Sequence, residues 1–194
     1  MTCRRVLKLG GSLLTRDDWP NKVRAWLAGQ PAALNLMIVG GGEIVEAVRK
    51  LDRQHQLGDR FAHWLCIDLL EATHRIACQL LTELPTIDRA AQLDRLLTER
   101  HTALPRTYLV QVAAFYSRFD PPADLPQDWS TTSDALAAWL ARLCHADELV
   151  LFKSLDPPPG ADCPWELSRL GIVDRAMVQV MPQRLPLRIV NLAT

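Results

Sequence analysis

ValLeuLysLeuGlyGlySer, residues 6–12, carries the reading of this chain. Residues 4–9 have the apolar character of a buried strand, and the glycine pair stops it ahead of a helical segment at about 19–29. Such a loop leaves the carboxyl end of a strand with backbone N–H groups pointing outward, and glycine lets that backbone come close to a phosphate. The arrangement returns in MetIleValGlyGlyGly, residues 37–42: Asn35–Val39 reads as a second short strand, and a helix from Glu43 to about Gln56 follows. Five of the nine glycines fall in these two places: Gly10, Gly11, Gly40, Gly41 and Gly42. One glycine pair alone is as readily a tight turn. Two such loops, each directly after an apolar strand, point to phosphate. Neither loop fits GxxxxGK followed by Ser or Thr, and neither fits GxGxxG, so the chain is not a P-loop ATPase or an ordinary Rossmann dehydrogenase.

Lysine usage adds to this. Of 22 basic residues only Lys8, Lys22, Lys50 and Lys153 are lysine, so arginine is the general surface cation. Lys8 lies inside the first strand, and Lys153 directly follows another apolar run, LeuValLeuPhe at 149–152. An ammonium at either place is costly unless it meets an anion.

Further along, a long helix is expected from about Arg60 to Leu84, ended by Pro85. Thr86–Asp88 reads as a strand, Arg89–Arg100 as a helix and Thr107–Val112 as a β-rich run, and the prolines at 121, 122 and 126 make 120–128 a loop. A helix spans about Thr132 to Cys144, Glu148–Phe152 is a strand, short helices lie near 164–170 and from Val173, and Leu187–Leu192 is a last strand. Strands alternating with helices predict one domain over 1–194, a three-layer α/β/α sandwich with a mainly parallel central sheet.

TrpSerThrThrSerAsp, residues 129–134, opens the helix at 132–144. Thr132 or Ser133 is its N-cap, and Asp134 lies in the first turn. Asp134 either serves that helix end or holds a basic residue or a metal near phosphate.

Together these motifs resemble the amino acid kinase family, the fold of acetylglutamate, aspartate and uridylate kinases. The family opens with LysXGlyGlySer, here Lys8, Gly10, Gly11 and Ser12. It continues with a glycine cluster, here Gly40–Gly42, then a Ser-Asp that starts a helix, here Ser133 and Asp134, and a lysine after a strand, here Lys153. The resemblance implies phosphoryl transfer from ATP with Mg2+, without a covalent intermediate. Lys8 and Lys153 would flank the transferring group, Asp134 would orient them, and the glycine loops would stabilise its oxygens. Ser133, Ser154 and Asp156 fall by the same resemblance to the nucleotide and its phosphates, and no side chain is assigned to the magnesium. Where the family follows its second lysine with Asp-Gly-Val-Tyr, this chain has LeuAspProProProGly at 155–160, which departs from the usual adenine pocket.

AlaHisTrpLeuCysIleAsp, 62–68, lies on the long helix where this family builds its acceptor pocket. An AlaHisTrp segment with TrpXXThrSerAsp is similar to a small subgroup containing the methanofuran-biosynthesis kinase, which converts aminomethyl-furanmethanol phosphate to the diphosphate. In that reading His63 and Trp64 form an aromatic wall, Thr132 contacts the acceptor, and Asp59 or Asp68 receives its ammonium. The plainer reading of His63 and Trp64 is packing between helix and sheet.

Composition sets the bounds. Hydrophobic residues make up 48% and charged residues 23%, and the net charge is zero, so nothing favours nucleic acid as a partner. No apolar run reaches the length of a membrane span, which leaves the cytoplasm as the expected compartment. Cys3, Cys66, Cys78, Cys144 and Cys163 form no CxxC pair and read as buried free thiols. His55, His101 and His145 read as solvated. The expected partner is a small phosphate acceptor, and Trp26 or Trp139 would be the surface that pairs if the chain self-associates.

Overall fold

A computed structural model describes residues 3–98, 106–161 and 163–194; His101 and the end of the helix expected at 89–100 lie outside them. Among the described residues six strands form one sheet: β1 (Arg4–Leu9), β2 (Leu34–Val39), β3 (Thr86–Ile87), β4 (Arg106–Val110), β5 (Glu148–Lys153) and β6 (Leu187–Asn191). Their order is β3-β4-β2-β1-β5-β6, and every neighbouring pair is parallel. Parallel strands are covered on both faces, which is why β2 is buried along its whole length and apolar apart from Asn35.

Among the described residues seven α-helices supply the covers: α1 (Trp19–Ala28), α2 (Gly42–His55), α3 (Asp59–Leu80), α4 (Ala90–Thr98), α5 (Ser133–Leu143), α6 (Pro164–Arg169) and α7 (Arg175–Val180). Alternation along β1 sorts them. Leu7 and Leu9 pack in one cluster with Trp19 and Val23 of α1 and Ala77 of α3. Val6 packs in the other, with Leu136 and Leu140 of α5 and Met177 of α7. Lys8 follows Val6 by two residues and therefore faces the α5 layer. The buried alanines 135, 137, 138 and 141 give α5 little side-chain bulk against that layer.

Chain direction then fixes where a ligand belongs. From β1 the chain moves to β2 on one side, whereas from β5 it moves to β6 on the other. The crevice above the carboxyl ends of β1 and β5 is the topological switch point, the usual ligand position in an open α/β sheet. Register sets Lys8 opposite Leu151 and Leu9 opposite Phe152, so Gly10 and Lys153 emerge side by side there.

Two boundaries differ from expectation for local reasons. α3 stops at Leu80, and a tight turn with Leu84 N–H donating to Leu81 carbonyl follows. Pro85 disfavours helical backbone at Leu84, so the helix ends a turn early. The last helix begins at Arg175, because Asp174 leaves helical geometry to cap it through Met177 N–H. Among the described residues no helix is long and apolar enough to cross a membrane.

Candidate active site

Lys8 and Lys153 converge on one carboxylate. Lys8 Nζ lies 2.9 Å from Asp134 Oδ1, and Lys153 Nζ donates to Asp134 Oδ2 at 2.6 Å. The Lys8 contact has the distance of an ion pair but lacks hydrogen-bond alignment, which leaves Oδ1 without a directed donor. The three side chains are 6%, 14% and 5% exposed, so two ammonium groups share one buried carboxylate. Burial alone would raise the Asp134 carboxyl, but the fields of Lys8 and Lys153 and the hydrogen bond from Lys153 overcome it and hold the group below its ordinary value. Lys153 is also lowered, from its usual basicity: burial and then Lys8 lower it, against the pull of Asp134 and Asp174. A surplus buried positive charge between β1 and α5 is a site prepared for an anion.

The glycine loops close against each other beside it. A Cβ on Gly11 would lie 2.1 Å from Gly42 N and 2.5 Å from Gly42 Cα, so the two backbones touch where side chains would be. Gly42 has φ +56, the left-handed region that glycine enters without strain, and it begins α2. The five glycines are not equivalent. Gly10 N–H donates to Phe152 carbonyl and Gly40 N–H to Leu9 carbonyl, so both extend the sheet ladder. Gly11, Gly41 and Gly42 line the cleft instead, together with Ser12 and Ser133.

That cleft has a volume of about 690 Å³, within the size range of small-molecule sites, and Trp129 and Arg49 line it along with the lysines. Trp129 is fixed from two sides: its Nε1–H donates to Asp52 at 2.7 Å, and the Arg49 guanidinium stacks 4.4 Å from the ring centroid. His63 also lines the cleft, with Nδ1 3.3 Å from Asp128 carbonyl and Nε2 2.9 Å from Tyr116 hydroxyl. Burial lowers the His63 imidazole, so the neutral ring donates from Nδ1 and accepts from Tyr116, whose own phenol burial raises to about 12.

The other residues singled out from the sequence sit elsewhere. Trp64 is buried, stacks on Tyr116 at 5.1 Å and donates from Nε1 to Gln127, which is a packing position. Asp68 pairs with Arg118 on the surface, and Asp59 stands exposed in the first turn of α3; neither lines the cleft. Ser154 Oγ lies 3.0 Å from Ser12 Oγ at the rim, and Asp156 accepts from Asn191 Nδ2 at 2.8 Å. Thr132, by contrast, does line the cleft and is also the N-cap of α5, its hydroxyl accepting from Asp134 N–H. Trp26 packs edge-on against Phe152 at 4.9 Å with Arg5 and Arg188 over its ring, and Trp139 is half-buried. All five cysteines are free, but Cys144 alone is buried and Cys163 is exposed. Among the described residues no group of three or more His, Cys, Asp or Glu could hold a metal.

Asp174 was not among the sequence candidates. It lines the cleft, and its carboxylate accepts from Thr132 N–H and hydroxyl, from Ala135 N–H and from Met177 N–H. AspArgAlaMet at 174–177 carries the signal of a helix cap, but nothing local says that the same carboxylate reaches back some 40 residues to α5.

No family model matches the chain, and no curated protein matches it significantly in sequence. Solved structures do resemble it. The UMP kinase of Ureaplasma parvum aligns with a TM-score of 0.67 at 11% identity, over 99% of this chain and 91% of that one. The uridylate kinase of Archaeoglobus fulgidus gives 0.64 at 16% identity, over 98% and 90%. The aspartate kinase of Synechocystis gives 0.57 at 15%, covering 95% of this chain and 38% of that longer one. Identities this low speak for architecture, and the chain has the amino acid kinase fold that these uridylate and aspartate kinases share.

Proposed function

We propose that this chain transfers the terminal phosphoryl group of ATP to a small phosphorylated acceptor. In its most specific form the acceptor is 5-(aminomethyl)-3-furanmethanol phosphate and the product its diphosphate. The observation that carries the proposal is the Lys8–Asp134–Lys153 trio at the switch point, beside two glycine loops that touch through their backbones. An acceptor phosphate oxygen forms a bond to the γ-phosphorus as the bond from that phosphorus to the β-bridging oxygen breaks, and ADP leaves. The protein needs no nucleophile for this; it needs positioning and positive potential where charge spreads over the transferring oxygens.

The chain's residues divide these tasks. Lys8 and Lys153 place two ammonium groups around the transferring group, and Asp134 keeps them aimed rather than splayed by mutual repulsion. Gly11, Gly41 and Gly42 offer backbone in place of side chains, so the phosphates can approach the start of α2 and its dipole. The donor set fits a polyphosphate. It is poor in free carboxylates beside the lysines, so Mg2+ would be carried mainly by the phosphates and water, as this cation commonly is. Bound there, it would neutralise phosphate charge. In the same cleft, Trp129 gives a rigid flat wall for an acceptor ring, a role the sequence motif suggests for Trp64. Asp128 and Glu46 are the cleft carboxylates within that region for an acceptor ammonium.

The test is a panel of acceptors with Mg-ATP, following ADP release and the phosphorylated product. Conversion of the furan phosphate to its diphosphate supports the specific form. Turnover only with another acceptor keeps the kinase and removes the furan. ATP binding without turnover on any acceptor refutes catalysis and leaves a nucleotide-binding protein.

A further inference from the structure

We infer that Asp174 is the positioning residue of this site: it ties the first turn of α5 to that of α7 and so fixes the Asp134 carboxylate between the two lysines. Its kinetic consequence rests on the phosphotransferase reading above; its geometry does not. Oδ2 accepts from Thr132 N–H at 3.1 Å, Thr132 hydroxyl at 2.5 Å and Ala135 N–H at 3.0 Å, and Oδ1 accepts from Met177 N–H at 2.5 Å. Residues 132 and 135 bracket Ser133 and Asp134, so the backbone carrying Asp134 is gripped on both sides. Thr132 relays the grip, since its hydroxyl donates to Asp174 and accepts from Asp134 N–H at 3.3 Å.

Helix stability alone does not call for this. α5 already has its own N-cap in Thr132, and α7 needs one acceptor, not a carboxylate shared across 42 residues of sequence. The sharing joins two elements that both border the cleft. It also brings a second negative charge to bear on Lys153: Lys8 on β1, Asp134 on α5 and Asp174 on α7 are the charged groups that act on it. Burial and Asp134 push the Asp174 carboxyl up, and its hydrogen bonds from Thr132, Met177 and Ala135 oppose that.

The chain's four lysines make the test direct, because a spectrum of 15N-labelled lysine ammonium groups contains only Lys8, Lys22, Lys50 and Lys153. Asp174→Ala should move the Lys153 titration to lower pH than in the wild type. It should also lower kcat by roughly 10²-fold, the scale of a small misplacement in an active site, with KM for ATP little changed. Asp174→Asn keeps an oxygen for the α5 N–H groups but no charge. It should recover most of kcat while Lys153 still titrates low. A merely structural role would lower the melting temperature and leave both the Lys153 titration and kcat per folded molecule unchanged, which would overturn the inference. If Asp174→Ala does not fold, the Lys153 titration in Asp174→Asn decides by the same criterion. If the wild type transfers no phosphoryl group, the functional reading fails and the lysine titration alone judges Asp174.

Discussion

Replacing Asp134 with alanine would leave two buried ammonium groups facing each other without the carboxylate that contacts both. Removing one partner of a buried pair costs about 3–5 kcal/mol, because the remaining charge stays desolvated. Relief here is unequal. Lys153, 14% exposed at the end of β5, can swing toward solvent, whereas Lys8, 6% exposed within β1, has strand neighbours on both sides. The lower end, about 3 kcal/mol, is therefore the expected loss. For a chain of this length each kcal/mol moves the melting temperature by about 2–4 °C, so Asp134→Ala should melt about 6–12 °C below wild type. Calorimetry and urea unfolding at neutral pH measure it. Adding Lys8→Met to Asp134→Ala should restore most of the loss, since the trapped charge is then gone. Pyrophosphate should also protect the single variant, by about 2.7 kcal/mol at a hundredfold excess over its dissociation constant. A loss under about 0.5 kcal/mol, the scale of a surface substitution, would refute the view that Asp134 compensates two buried cations.

Gly11→Ala should weaken ATP binding and lower stability by about 1–3 kcal/mol, because its Cβ would meet Gly42 backbone at 2.1 Å and part the loops; thermal melts with and without ATP measure both. Lys153 gives a pH signature. Its folded-state pKa is lowered, so the unfolded chain binds the proton more tightly and stability rises as pH climbs from the folded value toward the unfolded one, about 10.4. Unfolding free energy should therefore shift in favour of wild type over Lys153→Met between neutral pH and about 10, and a flat difference would count against burial of this lysine. Trp64→Ala should cost about 3–5 kcal/mol as a core truncation, since it removes the stack on Tyr116 and the bond to Gln127; urea unfolding reads the loss.

The order of elements was legible because each β-to-α change is marked by composition. Apolar runs at 4–9, 34–39 and 148–153 give strands, and the glycines after the first two mark where the chain leaves the sheet. Lys8 and Lys153 were legible as ammonium groups placed where burial is costly, and Asp134 as a carboxylate in the first turn of a helix, but their contact at one carboxylate is a product of sheet order. Which glycine N–H groups serve the ladder depends on strand register, invisible in a run of identical residues. Asp174 was missed because a cap looks the same from sequence whether it serves one helix or two. Trp64 and Trp129 show the same limit for aromatics: only packing tells which ring faces the core and which faces the cleft.

If Lys8 and Lys153 act together on a transferring phosphoryl group, as proposed, transfer can spare neither. The most direct measurement is phosphoryl transfer from γ-labelled ATP to the phosphorylated acceptor by wild type, Lys8→Ala and Lys153→Ala, with ATP binding followed in parallel by calorimetry. Labelled product is expected with wild type, a loss of at least about 10²-fold with either alanine variant, and ATP binding that remains measurable. Transfer by either variant at the wild-type rate would contradict that joint action.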